Sequence, residues 1–174
     1  MGLMITLQAE ILSCRFDPTG QNIAACSGDR SVSLWKTYLP NSNYGHIQHI
    51  HKAAILDLQW SLTGPNLYTA SADKTIGVSD LTSGLRVRRI RAHGGVINSI
   101  DRIIAGGTEL LVSGADDGLV KIWTGETKAS IDEWEVGCPI TAVCWSPDGA
   151  QIYAGALDNV VHVRCCWLAR GLHS

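Results

Sequence analysis

Asp117-Gly118-Leu119-Val120-Lys121-Ile122-Trp123 sets an aspartate and a glycine ahead of an alternation in which Val120 and Ile122 share one side of an extended chain. The aspartate recurs as Asp29, Asp73, Asp117 and Asp158, at steps of 44, 44 and 41 residues. Six residues before it stand Ile23, Leu67, Leu111 and Ile152, and thirteen before it Phe16, Trp60, Ile104 and Trp145. Three residues after it stand Val32, Ile76, Val120 and Val161, and five after it Leu34, Val78, Ile122 and Val163. Four copies in register mean one supersecondary unit stacked against copies of itself.

The spacing within each unit reads as strands. Many residues in these columns are β-branched, which suits a pleated, packed surface. Turn signals fall at a fixed phase: Asp17-Pro18-Thr19-Gly20, Ser61-Leu62-Thr63-Gly64 and Ser146-Pro147-Asp148-Gly149. Proline presets φ at the second turn position, and glycine accepts positive φ afterwards. The expected strands are 11–16, 22–28, 32–37 and 44–50, then 54–60, 66–71, 75–79 and 85–91. A third set covers 96–102, 109–114, 119–123 and 128–134, and a fourth covers 140–145, 151–156 and 160–163 before the pattern fails. The fold class is therefore all-β: about four blades of four antiparallel strands, repeated radially as an incomplete, open β-propeller.

These residues resemble the WD repeats. Asp117 to Trp123, opened by Ala92-His93, follows that family's pattern, and the resemblance covers roughly residues 9 to 163. It implies a non-repeat segment 1–10, repeats at about 11–50, 51–92, 93–135 and 136–163, and an aberrant tail 164–174. It also implies, in each complete repeat, a hydrogen-bonded set of histidine, serine or threonine, aspartate and tryptophan. Repeat three has the full set as His93, Ser113, Asp117 and Trp123. Repeat two has His51, Thr69 and Asp73, with Ser79 in place of tryptophan. Repeat one keeps Asp29 and Trp35, with Ala25 at the hydroxyl position and Leu7 near the histidine position; repeat four keeps Asp158, beside Ala154 and Arg164. A carboxylate beneath a tight turn needs donors, because its desolvation otherwise costs several kcal/mol. Imidazole, hydroxyl and indole N–H can each donate, leaving the second ring nitrogen for the backbone.

Composition narrows the functional classes. The chain has 174 residues, 45% of them hydrophobic, with a net charge of −2, so nothing draws it to nucleic acid or anionic membranes globally. No uncharged apolar run is long enough to cross a bilayer. Met1-Gly2-Leu3-Met4-Ile5-Thr6 fits an N-myristoylation pattern, but no polybasic segment or early cysteine supplies a second anchor. The six cysteines contain no C-x-x-C pair, and Cys14, Cys26 and Cys144 fall on expected strands as small hydrophobes. The tail cysteines Cys165 and Cys166 are expected to be exposed. His46, His49 and His51 could contribute to a metal site only with a ligand from elsewhere; the plainer reading is one blade histidine and two on an outer strand. Arg86, Arg88, Arg89 and Arg91 form a basic strand that either contacts phosphates or, as preferred here, guards a sheet edge. No nucleophile motif, phosphate loop or metal spacing is present, so no catalytic residue, metal or cofactor is assigned.

A finer resemblance is to the WD-repeat subunits of the spliceosomal U5 small nuclear ribonucleoprotein. It rests on Ser71-Ala72-Asp73-Lys74-Thr75-Ile76, on Gly84 to His93, on Ile97-Asn98-Ser99 and on the long link from Lys36 to Tyr44. It implies a nuclear, non-enzymatic protein-interaction scaffold in pre-mRNA splicing. The partners would be large proteins, among them the central scaffold protein of the U5 particle, with RNA contacted at most indirectly. The alternative is a WD adaptor of another complex, in ubiquitin ligation, chromatin or signalling, in the nucleus or cytoplasm. Candidate contact residues are Arg30, Lys74 and Asp116, which flank the anchors on the turn-bearing face, and Tyr44. Both termini depart from the repeat pattern, so the expectation is part of a longer propeller.

Overall fold

The computed structural model describes residues 7–38, 42–125 and 127–166. Each repeat begins from a turn. The anchor carboxylate accepts the backbone N–H two residues on: Ser31 to Asp29 at 2.9 Å, Thr75 to Asp73 at 3.1 Å, Leu119 to Asp117 at 3.2 Å and Val160 to Asp158 at 3.0 Å. This aspartate turn is a local substitute for backbone pairing. The next residue adopts a left-handed conformation each time, with φ of 74° at Arg30, 70° at Lys74, 76° at Gly118 and 65° at Asn159. A tight turn followed by one left-handed residue closes a three-residue hairpin loop, and only Gly118 adopts that conformation without steric cost.

Strands grow outward from these turns. Blade one is β1 (Ile11–Phe16), β2 (Asn22–Ser27), β3 (Val32–Lys36) and β4 (Asn43–Ile47). Blade two is β5 (Ile55–Trp60), β6 (Asn66–Ser71), β7 (Thr75–Asp80) and β8 (Leu85–Arg91). Blade three is β9 (Ile97–Ala105), β10 (Thr108–Ala115), β11 (Leu119–Thr124) and β12 (Asp132–Glu135), and blade four is β13 (Ile140–Trp145), β14 (Gln151–Ala156) and β15 (Val161–Cys165). Every sheet runs in chain order with antiparallel neighbours; blades one to three have four strands, and blade four has three among the described residues. The inner strands follow one another as β1, β5, β9 and β13, with no extensive packing of β13 on β1. The four blades form an open arc.

The core lies between blades. Val32 and Leu34 pack with Ile55, Leu58 and Trp60 of blade two. Ile76 and Val78 pack with Ile97, Ile100 and Leu111 of blade three, and Val120 and Ile122 with Ile140, Val143 and Trp145 of blade four. The same two positions in blade four, Val161 and Val163, are 66% and 50% exposed. At the other end Phe16 is 58% exposed, whereas Trp60 and Trp145 are buried against the preceding blade. Each apolar column is thus buried only where a neighbour stands on its side.

Several expectations need correction. Ile104 does not belong to the Phe16, Trp60 and Trp145 column: Leu111 pairs with Arg102, just as Leu67 pairs with Trp60. The β9–β10 hairpin is longer, closing at Gly106 and Gly107 with φ of 56° and 79°, and this shifts the register by two. Cys14 and Cys144 are exposed while Cys26 is buried, because β1 and β13 each have an inner-strand neighbour on one flank only. β4 stops at Ile47, and His49 lies beyond it with φ of 61°, so His49 and His51 share no strand face. β15 runs past Val163 to Cys165, and Cys166 is buried against the blade-four core rather than exposed. The candidate lipidation segment at residues 1–6 lies outside the described residues, as do residues 39–41 of the link before Tyr44.

Replacing both Val161 and Val163 by lysine should change unfolding free energy by less than about 0.5 kcal/mol, the ordinary range for exposed sites, and should reduce aggregation in light scattering. Val120→Lys places the same charge in a dry interface and should abolish cooperative unfolding. Equal effects at the two places would overturn the open-ended arrangement.

Candidate functional site

The described geometry contains two elements with functional bearing: the polar sets beneath the hairpin turns, and the turn-bearing face above them. In blade three the set is continuous. Trp123 Nε1 donates to Ser113 Oγ at 2.9 Å, Ser113 Oγ lies 2.8 Å from His93 Nε2, and His93 Nδ1 lies 3.1 Å from Asp117. One protonation pattern satisfies every atom: indole to hydroxyl, hydroxyl to a neutral ring, and the Nδ1–H to the carboxylate. The indole and hydroxyl therefore never reach the carboxylate, and the second ring nitrogen serves Ser113 rather than the backbone. Asp117 takes its remaining donors from the amides of Gly94, at 2.7 Å, and Leu119.

Blades one, two and four vary the arrangement. In blade two His51 Nε2 lies 2.8 Å from Thr69 Oγ1, and Nδ1 lies 3.1 Å from Asp73 and from Thr75 Oγ1. Arg89 of β8 adds a 2.9 Å bond to Asp73. Without a tryptophan, Ser79 Oγ is buried with no hydrogen-bond partner. In blade one Trp35 donates to Ser33 at 3.0 Å, not to position 25. Ser33 faces Ala25 across the β2–β3 pair, so the hydroxyl has moved one strand over. Asp29 is held by Ser31 Oγ at 2.5 Å and the Gln8 amide at 2.9 Å. Asp158 in blade four meets His162 at 2.8 Å, a partner that the repeat columns did not suggest.

These contacts set the titration of the site. Burial holds the His51 and His93 rings below the ordinary imidazole range, and the nearby carboxylates only partly oppose it. For Asp73, burial works upward, but the Lys52 amide, the Thr75 hydroxyl and His51 outweigh it, leaving the group at about 2.

The turn-bearing face brings Arg30 and Lys74 out as exposed side chains, each at the left-handed position of its turn. Asp116 is exposed and accepts Asn98 Nδ2 at 2.7 Å. Tyr44 stands apart: it is 46% exposed at the far end of β4 from the Asp29 turn, with Lys36 Nζ 4.8 Å from its ring centre. Of the basic strand, Arg86 and Arg88 donate to the carbonyls of Ile50 and Gly125, and Arg89 binds Asp73. Three of its four guanidinium groups thus hold the protein's own acceptors. The ligand atoms of His46, His49 and His51 do not converge into a metal cluster.

Two buried carboxylates were not legible as site residues. Asp57 accepts from Ser13 Oγ at 2.9 Å and the Ile100 amide at 3.1 Å, joining blades one, two and three. Glu109 accepts from Ser61 Oγ at 2.7 Å, the Leu62 amide at 2.6 Å and Tyr68 Oη at 2.9 Å, joining blades two and three. Burial and the Glu109 charge push the Tyr68 phenol up to about 12.

Two predictions follow from the polar sets. Asp117→Ala strands several donors and should cost about 2–4 kcal/mol, whereas Ser79→Ala removes an unpaired hydroxyl and should be neutral or stabilise by about 1 kcal/mol. Urea titration of both variants checks the pair, and a destabilising Ser79→Ala would contradict the geometry. The second concerns pH. Histidines with lowered folded pKa bind fewer protons than in the unfolded chain, so stability should fall as pH drops below about 6.5. The lowered Asp73 pKa adds stability above about 4 that is lost as pH falls toward 2. An unfolding midpoint constant from pH 7.5 to 5 would contradict the histidine assignment.

Comparison with known proteins places this geometry. Residues 3–36, 42–80, 84–124 and 130–164 each match the WD domain, G-beta repeat. The chain is 36% identical over 165 residues to the pre-mRNA-splicing factor cwf17 of Schizosaccharomyces pombe, covering 95% of this chain and 47% of that one. It is 37% identical over 160 residues to the U5 small nuclear ribonucleoprotein 40 kDa protein of Dictyostelium discoideum, covering 92% and 44%. It is 30% identical over 162 residues to COMPASS component SWD3 of Saccharomyces cerevisiae, covering 87% and 50%. The chain spans about half the length of the curated relatives it matches. With an aspartate-turned hairpin in each blade and a family match on each repeat, the chain belongs to the WD domain, G-beta repeat family.

Proposed function

We propose that this chain contributes to a non-catalytic protein-interaction scaffold of pre-mRNA splicing, as part of a U5-type particle in the nucleus. The observation that carries the reading is the 36–37% identity, over more than nine-tenths of the chain, to two proteins named for splicing and for the U5 particle. The mechanism is presentation: rigid blades hold loops whose side chains meet large partners, without turnover or cofactor. Contacts would come from the turn-bearing face, where Arg30, Lys74 and Asp116 are exposed on successive blades, with Tyr44 available to a partner that wraps the outer edge. The partner in view is the large central protein of the particle, with RNA reached only through it.

A second reading, a scaffold of a different assembly, is supported by the 30% identity to a COMPASS component. The two separate in one experiment. Tagged chain is expressed in cells and recovered from nuclear extract, and the bound fraction is probed for U5 RNA and for the largest U5 protein. Co-recovery of both is the expected result, and Lys74→Glu should reduce it modestly and in a salt-dependent way, as rim charges do. Recovery of chromatin-complex subunits without U5 RNA would leave the family assignment standing and remove the splicing function.

A further inference from the structure

Blade four departs from its siblings around Asp158. Four residues after the anchor stand Ser33, Gly77 and Lys121 in the first three blades, and His162 in the fourth. His162 faces Ala154 across the β14–β15 pair, so no hydroxyl engages its ring there. Its Nε2 lies 2.8 Å from Asp158 Oδ2. Trp134 meets the ring edge-on, with centres 6.2 Å apart at 72°, and limits its rotation. The second change is Cys138, two residues ahead of β13 on the segment leading into it; His51 and His93 stand four residues ahead of β5 and β9, where blade four has Val136 instead. Its thiol lies near the Asp158 carboxylate, and it is in no disulfide. Thiol sulfur, imidazole nitrogen and carboxylate oxygen all fall within 4.8 Å of one another.

Purely organic polar sets of this family are completed by hydroxyl and indole groups, and neither is present in this cluster. The donors it has instead are three typical ligands of a borderline-soft divalent ion. Zinc bond lengths of about 2.0–2.3 Å place tetrahedral ligands about 3.5 Å apart, and small rotations would reach that from the observed separations. Cys138 and His162 are half-buried and Asp158 is exposed, so an ion has a path in. We propose that Cys138, Asp158 and His162 form a zinc(II) site in blade four, with three protein ligands and water in the fourth position. On binding, the thiol proton passes to solvent, sulfur and the ring nitrogen bond to the metal, and the histidine–carboxylate contact is replaced by two metal–ligand bonds. No electron transfer is involved. The metal would link the entry to β13 with the β14–β15 hairpin, as the histidine–aspartate contact does in blades two and three.

The full 174-residue chain, reduced and stripped of metal, is titrated with cobalt(II). One equivalent should produce sulfur-to-cobalt charge-transfer absorption with the d–d bands of a tetrahedral ion, and one equivalent of zinc should bleach both. Cys138→Ser should lose the charge-transfer band, and His162→Gln should weaken binding at least tenfold. The double variant Cys14→Ser/Cys144→Ser, at exposed thiols elsewhere, should leave the spectrum unchanged. Where a variant fails to fold, alkylation of the wild-type chain decides: zinc should slow labelling of Cys138, read by peptide mass spectrometry, and leave Cys14 labelling unaffected. Absence of the cobalt spectrum in the wild-type chain, its persistence in Cys138→Ser, or unprotected Cys138 in zinc would overturn the site.

Discussion

A carboxylate that sits under a hairpin turn must be surrounded by donors, and the rest of each blade is arranged around that requirement. Asp73 shows the cost and its remedy together: burial acts against its charge, and the Lys52 amide, Thr75 and His51 reverse the balance. Because the Lys52 amide and His51 belong to the segment entering the blade while Asp73 belongs to the β6–β7 turn, satisfying one charge ties distant stretches of chain together. The contact is local in space and long-range in sequence, which makes it a registration device as well as a stabilising one. Blade one achieves the same closure with the Gln8 amide and Ser31. The need for donors is thus more constant than the residues that supply them.

Burial between blades is the second constraint. A four-stranded sheet has two faces, and in this arc each is covered only by an adjacent sheet. Val120 and Ile122 are buried because β13 and β14 stand opposite them; Val161 and Val163 carry the same residue types and lie largely in solvent. Surface of that kind on a monomer commonly marks an interaction or an aggregation hazard. The relatives, of which this chain spans about half, contain the additional length from which neighbouring blades could be built.

Charged groups stitch the same interfaces that apolar packing fills. Asp57 and Glu109 are buried with full sets of donors drawn from adjoining blades. A buried carboxylate with its donors in place orients its neighbours, since any other blade angle would leave it unpaired. Arg102 extends the same stitching by donating to the Trp60 carbonyl at 2.7 Å. Rotation between blades is therefore resisted by polar geometry as well as by packing.

The amino-acid sequence by itself determined the repeat, the strands and the turn positions. Those features are governed by short-range preferences: period-two alternation, β-branching, and the capacity of aspartate to bond the amide two residues on. That His93, Ser113, Asp117 and Trp123 belong together followed from the resemblance to the WD repeats, which the sequence carries at those positions. Tertiary structure alone decided the direction of the hydrogen-bond chain and the replacement of Ala25 by Ser33 across a strand pair. It likewise decided the two-residue register shift that puts Arg102 where Ile104 was expected, since strand pairing counts hairpin length and a column of residues does not. The inter-blade roles of Asp57 and Glu109, and the meeting of Cys138 with His162, were decided there too. Each depends on groups that are tens of residues apart and come together only when the sheets stack, and no local spacing encodes that approach.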